Sequence, residues 1–330
     1  MNKIVKNIIL FGLTAILLAF SLRNLELAKL KEEWANTNYW LLFFTSLIAM
    51  LSHLSRAERW KLILTPMGYK VNTKNSFYAV MTGYFINLAI PRGGELSRCV
   101  SLKKTDNVPV DKSLGTVVAE RIVDLIFMLL LIGVTLIVEF KKLTFILSNL
   151  YLDVKKALLS ISNTSTIMLF LSLLSLVALL FYLYKKGKFD SLFQKGKKFL
   201  VGLKEGVLSL LKLEKFGLFM LHSVLIWILY FLMTYYGMQS FPSIKHLDLL
   251  SALTVFVASS IAMTIPVPGG TGTYHKIIPP VLLLYTVAEV DGLNFATIFH
   301  LWQTLTIILV GSICFVLANI NSKNANSESI

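Results

Sequence analysis

Glu120, Arg121 and Asp124 lie inside an otherwise apolar run, residues 114–138. On a helix rising about 1.5 Å per residue, Asp124 falls roughly 15 Å past Leu114 and one turn beyond both Glu120 and Arg121. Ionisable groups that deep in apolar sequence are costly, and they mark either a pathway or a paired network. A second charged group precedes them in Pro91-Arg92-Gly93-Gly94-Glu95-Leu96-Ser97-Arg98. Proline ends a helix by removing an N–H donor, and the glycines open backbone conformations closed to other residues. Backbone N–H groups freed there suit an anion. Arg92 and Arg98 could add a guanidinium fork for a phosphate. Glu95 stands three residues from each arginine, the spacing for pairing on a helix. Arg92, Arg98 and Arg121 thus balance Glu95, Glu120 and Asp124. The set is either a self-satisfied polar core that holds the segment or one that also handles a substrate.

A third group is Pro266-Val267-Pro268-Gly269-Gly270-Thr271-Gly272-Thr273-Tyr274-His275. It offers backbone N–H groups, the hydroxyls of Thr271 and Thr273, and one histidine, but no arginine. It reads as a rigid turn that seats a helix from near Tyr274, with His275 either a core histidine or a proton relay. His300 and Gln303 share a helix face at i and i+3, and with Thr304 they could line the same cavity. His222 reads as a lone polar contact. Arg56, Arg59 and Trp60 follow an apolar run and read as an interfacial anchor; Arg59 could instead receive a lipid phosphate. Cys99 and Cys314 stand alone in apolar settings, without metal spacing or a disulfide framework. No catalytic residue, metal or cofactor is expected.

The elements that must position these residues follow from composition. Of 330 residues, 55% are hydrophobic and 15% charged, with a mean hydropathy of +0.70. A soluble domain carries about a quarter charged residues, so a disordered chain is excluded and an ordinary soluble enzyme is not expected. The net charge of +14 fits cytoplasmic loops rich in Lys and Arg better than nucleic-acid binding. Crossing a bilayer takes about 20 apolar residues. Six runs qualify: 6–22, 38–55, 114–138, 164–184, 215–237 and 294–319. Lys3 and Lys6 make the first resemble a signal peptide, but Ala19-Phe20-Ser21 is a poor cleavage site, and an uncleaved helix is expected. Two shorter apolar segments stop at Pro91 and at Pro266; broken segments at membrane depth need protein or a polar cavity around them. Positive loops at 56–75 and 185–215 belong in the cytoplasm. With both termini inside, the two broken segments must be re-entrant, the first entering from the cytoplasm and the second from outside. Residues 188–215 alternate Leu and Phe with lysines in a pattern that reads either as an amphipathic helix on the cytoplasmic leaflet or as a solvated loop.

The two broken segments also resemble each other. Ile86-Asn87-Leu88-Ala89-Ile90-Pro91-Arg92-Gly93-Gly94 matches Ile261 to Gly270 at an offset of 175 up to the proline, and the flanking crossings repeat at about 177 and 180. The expected fold is an all-α polytopic membrane protein with about six crossings and two re-entrant hairpins in an inverted repeat. It forms one integral domain, with repeats over about 38–140 and 215–320 and a linker at about 185–215. Paired broken helices in inverted repeats point to a transport site between the halves.

Four motifs in order carry a family resemblance: Arg56-x-x-Arg59-Trp60, Asn87-x-x-x-Pro91-Arg92-Gly93-Gly94-Glu95-x-x-Arg98, Glu120-Arg121-x-x-Asp124, and Pro266-x-Pro268-Gly269-Gly270-x-Gly272. Over about residues 40–315 the chain resembles the lysylphosphatidylglycerol synthase transmembrane region family. The resemblance implies the lipid flippase module that in bifunctional relatives precedes a soluble lipid-aminoacylating domain. The chain ends about ten residues after its last crossing, so that domain is expected to be absent. Relatives often carry an acidic residue where His275 stands, which puts a cationic-headgroup partner there in doubt. The expected function is therefore a flippase in the cytoplasmic membrane. Its partner would be a lipid with a phosphate-containing headgroup, contacted by the residues named in the first hairpin, the 114–138 crossing, the second tip, Arg59 and Gln303. The alternative is an intramembrane transferase using Glu120 and Asp124 as base or metal ligands. A homo-oligomer, or a separate lipid-modifying enzyme as partner, is compatible with either.

Overall fold

The computed structural model describes residues 26–140 and 213–327. Among these the chain forms nine α-helices and no strand: α1 (Leu27–Asn36), α2 (Tyr39–Leu64), α3 (Thr73–Ala89), α4 (Gly93–Asp106), α5 (Val110–Val138), α6 (Phe216–Gln239), α7 (Leu249–Thr264), α8 (Thr273–Leu283) and α9 (Glu289–Ser327). Among the described residues, four stretches are long and apolar enough to cross a bilayer: Tyr39–Met67, Val110–Val138, Phe216–Gln239 and Glu289–Ser322. They correspond to four of the six expected crossings. Those expected at 6–22 and 164–184, and the amphipathic stretch from 188 to 212, lie outside the described residues.

Local chemistry sets the ends. The Asn38 side chain accepts from the N–H groups of Trp40 and Leu41 and starts α2, and Asn72 does the same for α3 through Lys74. Asp248 caps α7 through the Ser251 N–H. Such caps satisfy donors that a helix start leaves orphaned. α3 stops at Ala89, just ahead of Pro91, and α7 at Thr264, just ahead of Pro266, because the residue before a proline is driven out of the helical region.

Hydrogen bonds and ring contacts give the helix directions. α2 and α6 run antiparallel, since Phe44 packs on Tyr236 while Ser55 reaches His222. α3 folds back on α2, with the Ser76 hydroxyl donating to the Ala57 carbonyl and Tyr84 packed on His53. α3 and α4 form one hairpin, tied at its open end by Asn75 to Asp106. α7 and α8 form the other, tied by the Tyr285 hydroxyl to Thr254. Each hairpin has its own core. Trp60, Leu64, Val80, Cys99, Leu102 and Val117 bury the first, and Phe241, Val255, Ile278, Leu282, Phe295 and Phe299 the second. Outside these cores, α5 leaves Leu129, Leu130 and Ile137 exposed, an apolar face of the kind a bilayer covers.

The two hairpins meet at their tips. Leu88, at the end of α3, packs on Gly269, and Arg92 Nη2 lies 3.4 Å from the Thr264 carbonyl oxygen at the end of α7.

Candidate functional site

α2 and α5 lie antiparallel, so two arginines one turn apart on α2 face two carboxylates one turn apart on α5. Arg56 Nη1 donates to Asp124 Oδ2 at 2.9 Å, and Arg59 Nη1 to Asp124 Oδ1 at 2.8 Å. Arg59 Nε stands 3.4 Å from Glu120 Oε1. Arg98, from α4, donates to Glu120 Oε2. Arg59 and Glu120 are fully buried, and Arg56, Arg98 and Asp124 nearly so. Aromatic rings cover the guanidiniums: Arg98 lies 4.4 Å over the Trp60 ring and Arg59 5.7 Å over Phe219. Trp60 is held in turn by its Nε1–H to Thr116 Oγ1 at 2.8 Å. Such faces replace part of the solvation that buried cations lose.

Several expectations change here. Arg56, Arg59 and Trp60 are not an interfacial anchor. α2 continues to Leu64 and buries all three inside the bundle, because the carboxylates of α5 offset the cost of desolvating the arginines. Glu95 forms no ion pair with Arg92 or Arg98; the shorter sequence spacing loses to the buried Glu120. Among the described residues Arg121 forms no ion pair with the hairpin. It is half-exposed and only 3.7 Å from Asp124 Oδ2, on its own helix. Arg92 stays outside the cluster, exposed at the tip. The balanced set expected from sequence is replaced by Arg56, Arg59, Arg98 and Arg121 with Glu120 and Asp124.

The tips also differ from expectation. Their N–H groups are largely spent internally. Asn87 Oδ1 accepts from the Gly94 N–H at 2.7 Å, and Gly93 N–H donates to the Ile90 carbonyl. Gly270 and Thr271 donate to the carbonyls of Val267 and Pro268. The glycines serve close approach: a Cβ on Gly94 would lie 2.1 Å from the Gly83 carbonyl oxygen. In the second tip Pro268 is buried, and Gly269 and Gly270 take φ of +58° and +74°, open to glycine at no steric cost. Thr273 Oγ1 shares its hydrogen between the Ala262 and Gly270 carbonyls. His300 Nε2 is 2.9 Å from the Gly269 carbonyl oxygen. A carbonyl only accepts, so His300 carries its proton on Nε2. His275 is buried against His300, with ring centroids 5.2 Å apart, and its Nδ1 has no partner among the described residues. Gln303 Nε2 donates to the Met233 sulfur of α6 at 3.7 Å. His222 Nδ1 lies 2.9 Å from the Ser55 hydroxyl. Both cysteines are free and buried.

The profile of the lysylphosphatidylglycerol synthase TM region matches residues 7–311. The chain belongs to the lysylphosphatidylglycerol synthase transmembrane region family. It is a multi-pass membrane protein. Two UPF0104 membrane proteins of Methanocaldococcus jannaschii are similar to it. MJ1595 is 32% identical over 152 residues, 44% of this chain and 45% of that relative, so the match spans less than half of its length. MJ1078 is 27% identical over 240 residues, 72% of this chain and 95% of that relative. No solved structure matches. For this member of the lysylphosphatidylglycerol synthase transmembrane region family, sequence reasoning named Arg59 and Arg98 but left Arg56 out of the site and missed the pairing of Arg56 and Arg59 with the α5 carboxylates. The signal was present: Arg56 and Arg59 are spaced by one turn, as are Glu120 and Asp124, and two such pairs on antiparallel helices are complementary.

Proposed function

We propose that the protein moves a phospholipid, or a lipid-linked headgroup, across the cytoplasmic membrane. The observation that carries this reading is the meeting of the two tips, Leu88 on Gly269 and Arg92 near the Thr264 carbonyl. Two hairpins that approach head-on from opposite ends, each broken at a proline, form the arrangement needed to expose one site to the two faces of a bilayer in turn. In this reading α3–α4 and α7–α8 are re-entrant hairpins of an inverted repeat, and both termini lie in the cytoplasm. Lipid tails stay in the bilayer while the headgroup passes beside the tips. The carboxylates argue for transport over transferase chemistry. Glu120 is paired with Arg59 and Arg98, and Asp124 with Arg56 and Arg59, so neither is available as a base.

A double variant, Arg92→Cys with Thr264→Cys, tests the reading in reconstituted vesicles carrying a fluorescent phospholipid. The same variant before cross-linking serves as reference. Joining the two thiols with a reducible bifunctional reagent should stop lipid translocation, and reduction should restore it. Full translocation by the cross-linked protein overturns the proposal, because the tips would not have to part.

A further inference from the structure

We infer that Arg121 and Arg56 are successive stations for one phosphate group, Arg121 receiving it at the bilayer and handing it to Arg56 in the cluster. This rests on the transport reading above and adds the route by which the headgroup reaches its site.

The charge count comes first. The ion-paired set holds four guanidiniums, Arg56, Arg59, Arg98 and Arg121, and two carboxylates, Glu120 and Asp124. Adding Glu95, for which no ion pair is formed among the described residues, still leaves one positive charge over. The buried members alone, Arg56, Arg59 and Arg98 against Glu120 and Asp124, carry one positive charge in excess, which is expensive unless an anion completes it. Donors await that anion: Arg56 Nε, Arg59 Nη2 and Arg98 Nε are buried with no acceptor among the described residues. More polar groups continue the line behind Arg56. Its Nη2 is 3.4 Å from the Tyr230 hydroxyl, which is 3.2 Å from the Tyr84 hydroxyl. His53 lies against the Tyr84 ring with a buried Nδ1 that has no partner among the described residues.

Exposure then orders the stations. The side chain of Arg121 is 46% exposed, that of Asp124 12% and that of Arg56 5%. Both arginines address the same oxygen, Asp124 Oδ2, Arg56 at 2.9 Å and Arg121 at 3.7 Å. The longer, outer contact can be exchanged for a ligand, because Arg56 and Arg59 still compensate Asp124. The neighbours of Arg121 say what kind of molecule brings the phosphate. Ile122, Leu125 and Ile126 are exposed beside it on α5, so the guanidinium sits on a face covered by hydrocarbon. A phosphate with acyl chains attached meets that face directly; a free phosphate ion would have to cross apolar surface to reach it.

The test uses the full chain in detergent. Intrinsic tryptophan fluorescence, with Trp60 under the Arg98 guanidinium, follows binding of dihexanoyl phosphatidylglycerol by rapid mixing. Dihexanoylglycerol and inorganic phosphate are the comparison probes. Peripheral charges act on association and buried contacts on dissociation. Arg121→Gln should therefore slow association by roughly tenfold while dissociation stays within about twofold. Tyr230→Phe should do the reverse, speeding dissociation several-fold and leaving association alone. Both variants should keep the wild-type melting temperature, which separates a lost contact from a lost fold. Unchanged association in Arg121→Gln removes Arg121 from the path, and equal binding of dihexanoylglycerol removes the phosphate. Binding of inorganic phosphate as tight as that of the lipid overturns the lipid-transport reading and leaves a free-anion site. Wild-type translocation by both variants overturns the path and leaves the transport reading standing.

Discussion

The two hairpins share a backbone plan and differ in chemistry. α3–α4 is pinned to the bundle by an ion pair, Arg98 with Glu120, inside a cluster rich in arginine. α7–α8 is pinned by neutral hydrogen bonds, His300 to the Gly269 carbonyl and Thr273 to the Ala262 and Gly270 carbonyls. Proline stops the incoming helix in both, and glycine lets the backbone turn within a few residues. Similar turns therefore do not bring similar chemistry. A turn constrains φ, ψ and space, which glycine and proline satisfy wherever they occur. The chemistry depends on which neighbouring helix faces the turn. α5 and α2 bring carboxylates and arginines to the first, while α9 brings histidine to the second.

Removing one charge from the first half is the strongest way to break the comparison. Asp124→Ala leaves Arg56 and Arg59 buried without their main partner, and should cost about 3–5 kcal/mol. The neutral counterpart, Thr273→Ala, loses one shared hydrogen bond and should cost about 1 kcal/mol. Chemical or thermal unfolding of the two purified variants measures both, and similar losses would mean that Asp124 is solvated.

Backbone approach separates the halves less sharply. Gly94→Ala drives a methyl to 2.1 Å from the Gly83 carbonyl oxygen, and backbone must move. Gly270→Ala meets the Met263 sulfur at 2.3 Å, a side chain that can swing aside, and adds the strain of a positive φ. We expect about 2–3 kcal/mol for the first and about 1–2 kcal/mol for the second, read as shifts in unfolding midpoint. The reverse order would show that the second tip is the more tightly packed.

Asn87→Ala removes the acceptor for the Gly94 N–H and should cost about 1 kcal/mol, with Asn87→Asp recovering most of it. A loss of function in Asn87→Ala greater than this stability loss explains would sharpen the comparison, since Asn87 would then touch the headgroup that we propose is transported. The smallest effect is expected at Arg92, which sits at φ +58° outside the cluster. Arg92→Gly should leave the melting temperature unchanged or slightly raised, because glycine tolerates that conformation at no cost. A clear destabilisation would assign Arg92 a structural contact beyond the Thr264 carbonyl.

Much of the architecture was legible from composition and spacing. Apolar runs marked the four long helices, Pro91 and Pro266 marked the breaks, and the Ile-Pro-x-Gly likeness marked the pair of hairpins. These features depend on neighbouring residues in the chain, where helix length, missing N–H groups and steric freedom are decided. The partners of the charges were not legible by the same route. Spacing of three residues suggested Glu95 with Arg98, and position after an apolar run suggested Arg59 at the interface. The structure pairs Arg98 with Glu120 and Arg59 with Asp124, 22 and 65 residues away in sequence. A charge chooses its partner by distance through space and by the loss of competing water. Only the packing of α2, α4 and α5 sets those two quantities, so only the tertiary structure could decide where the arginines belong.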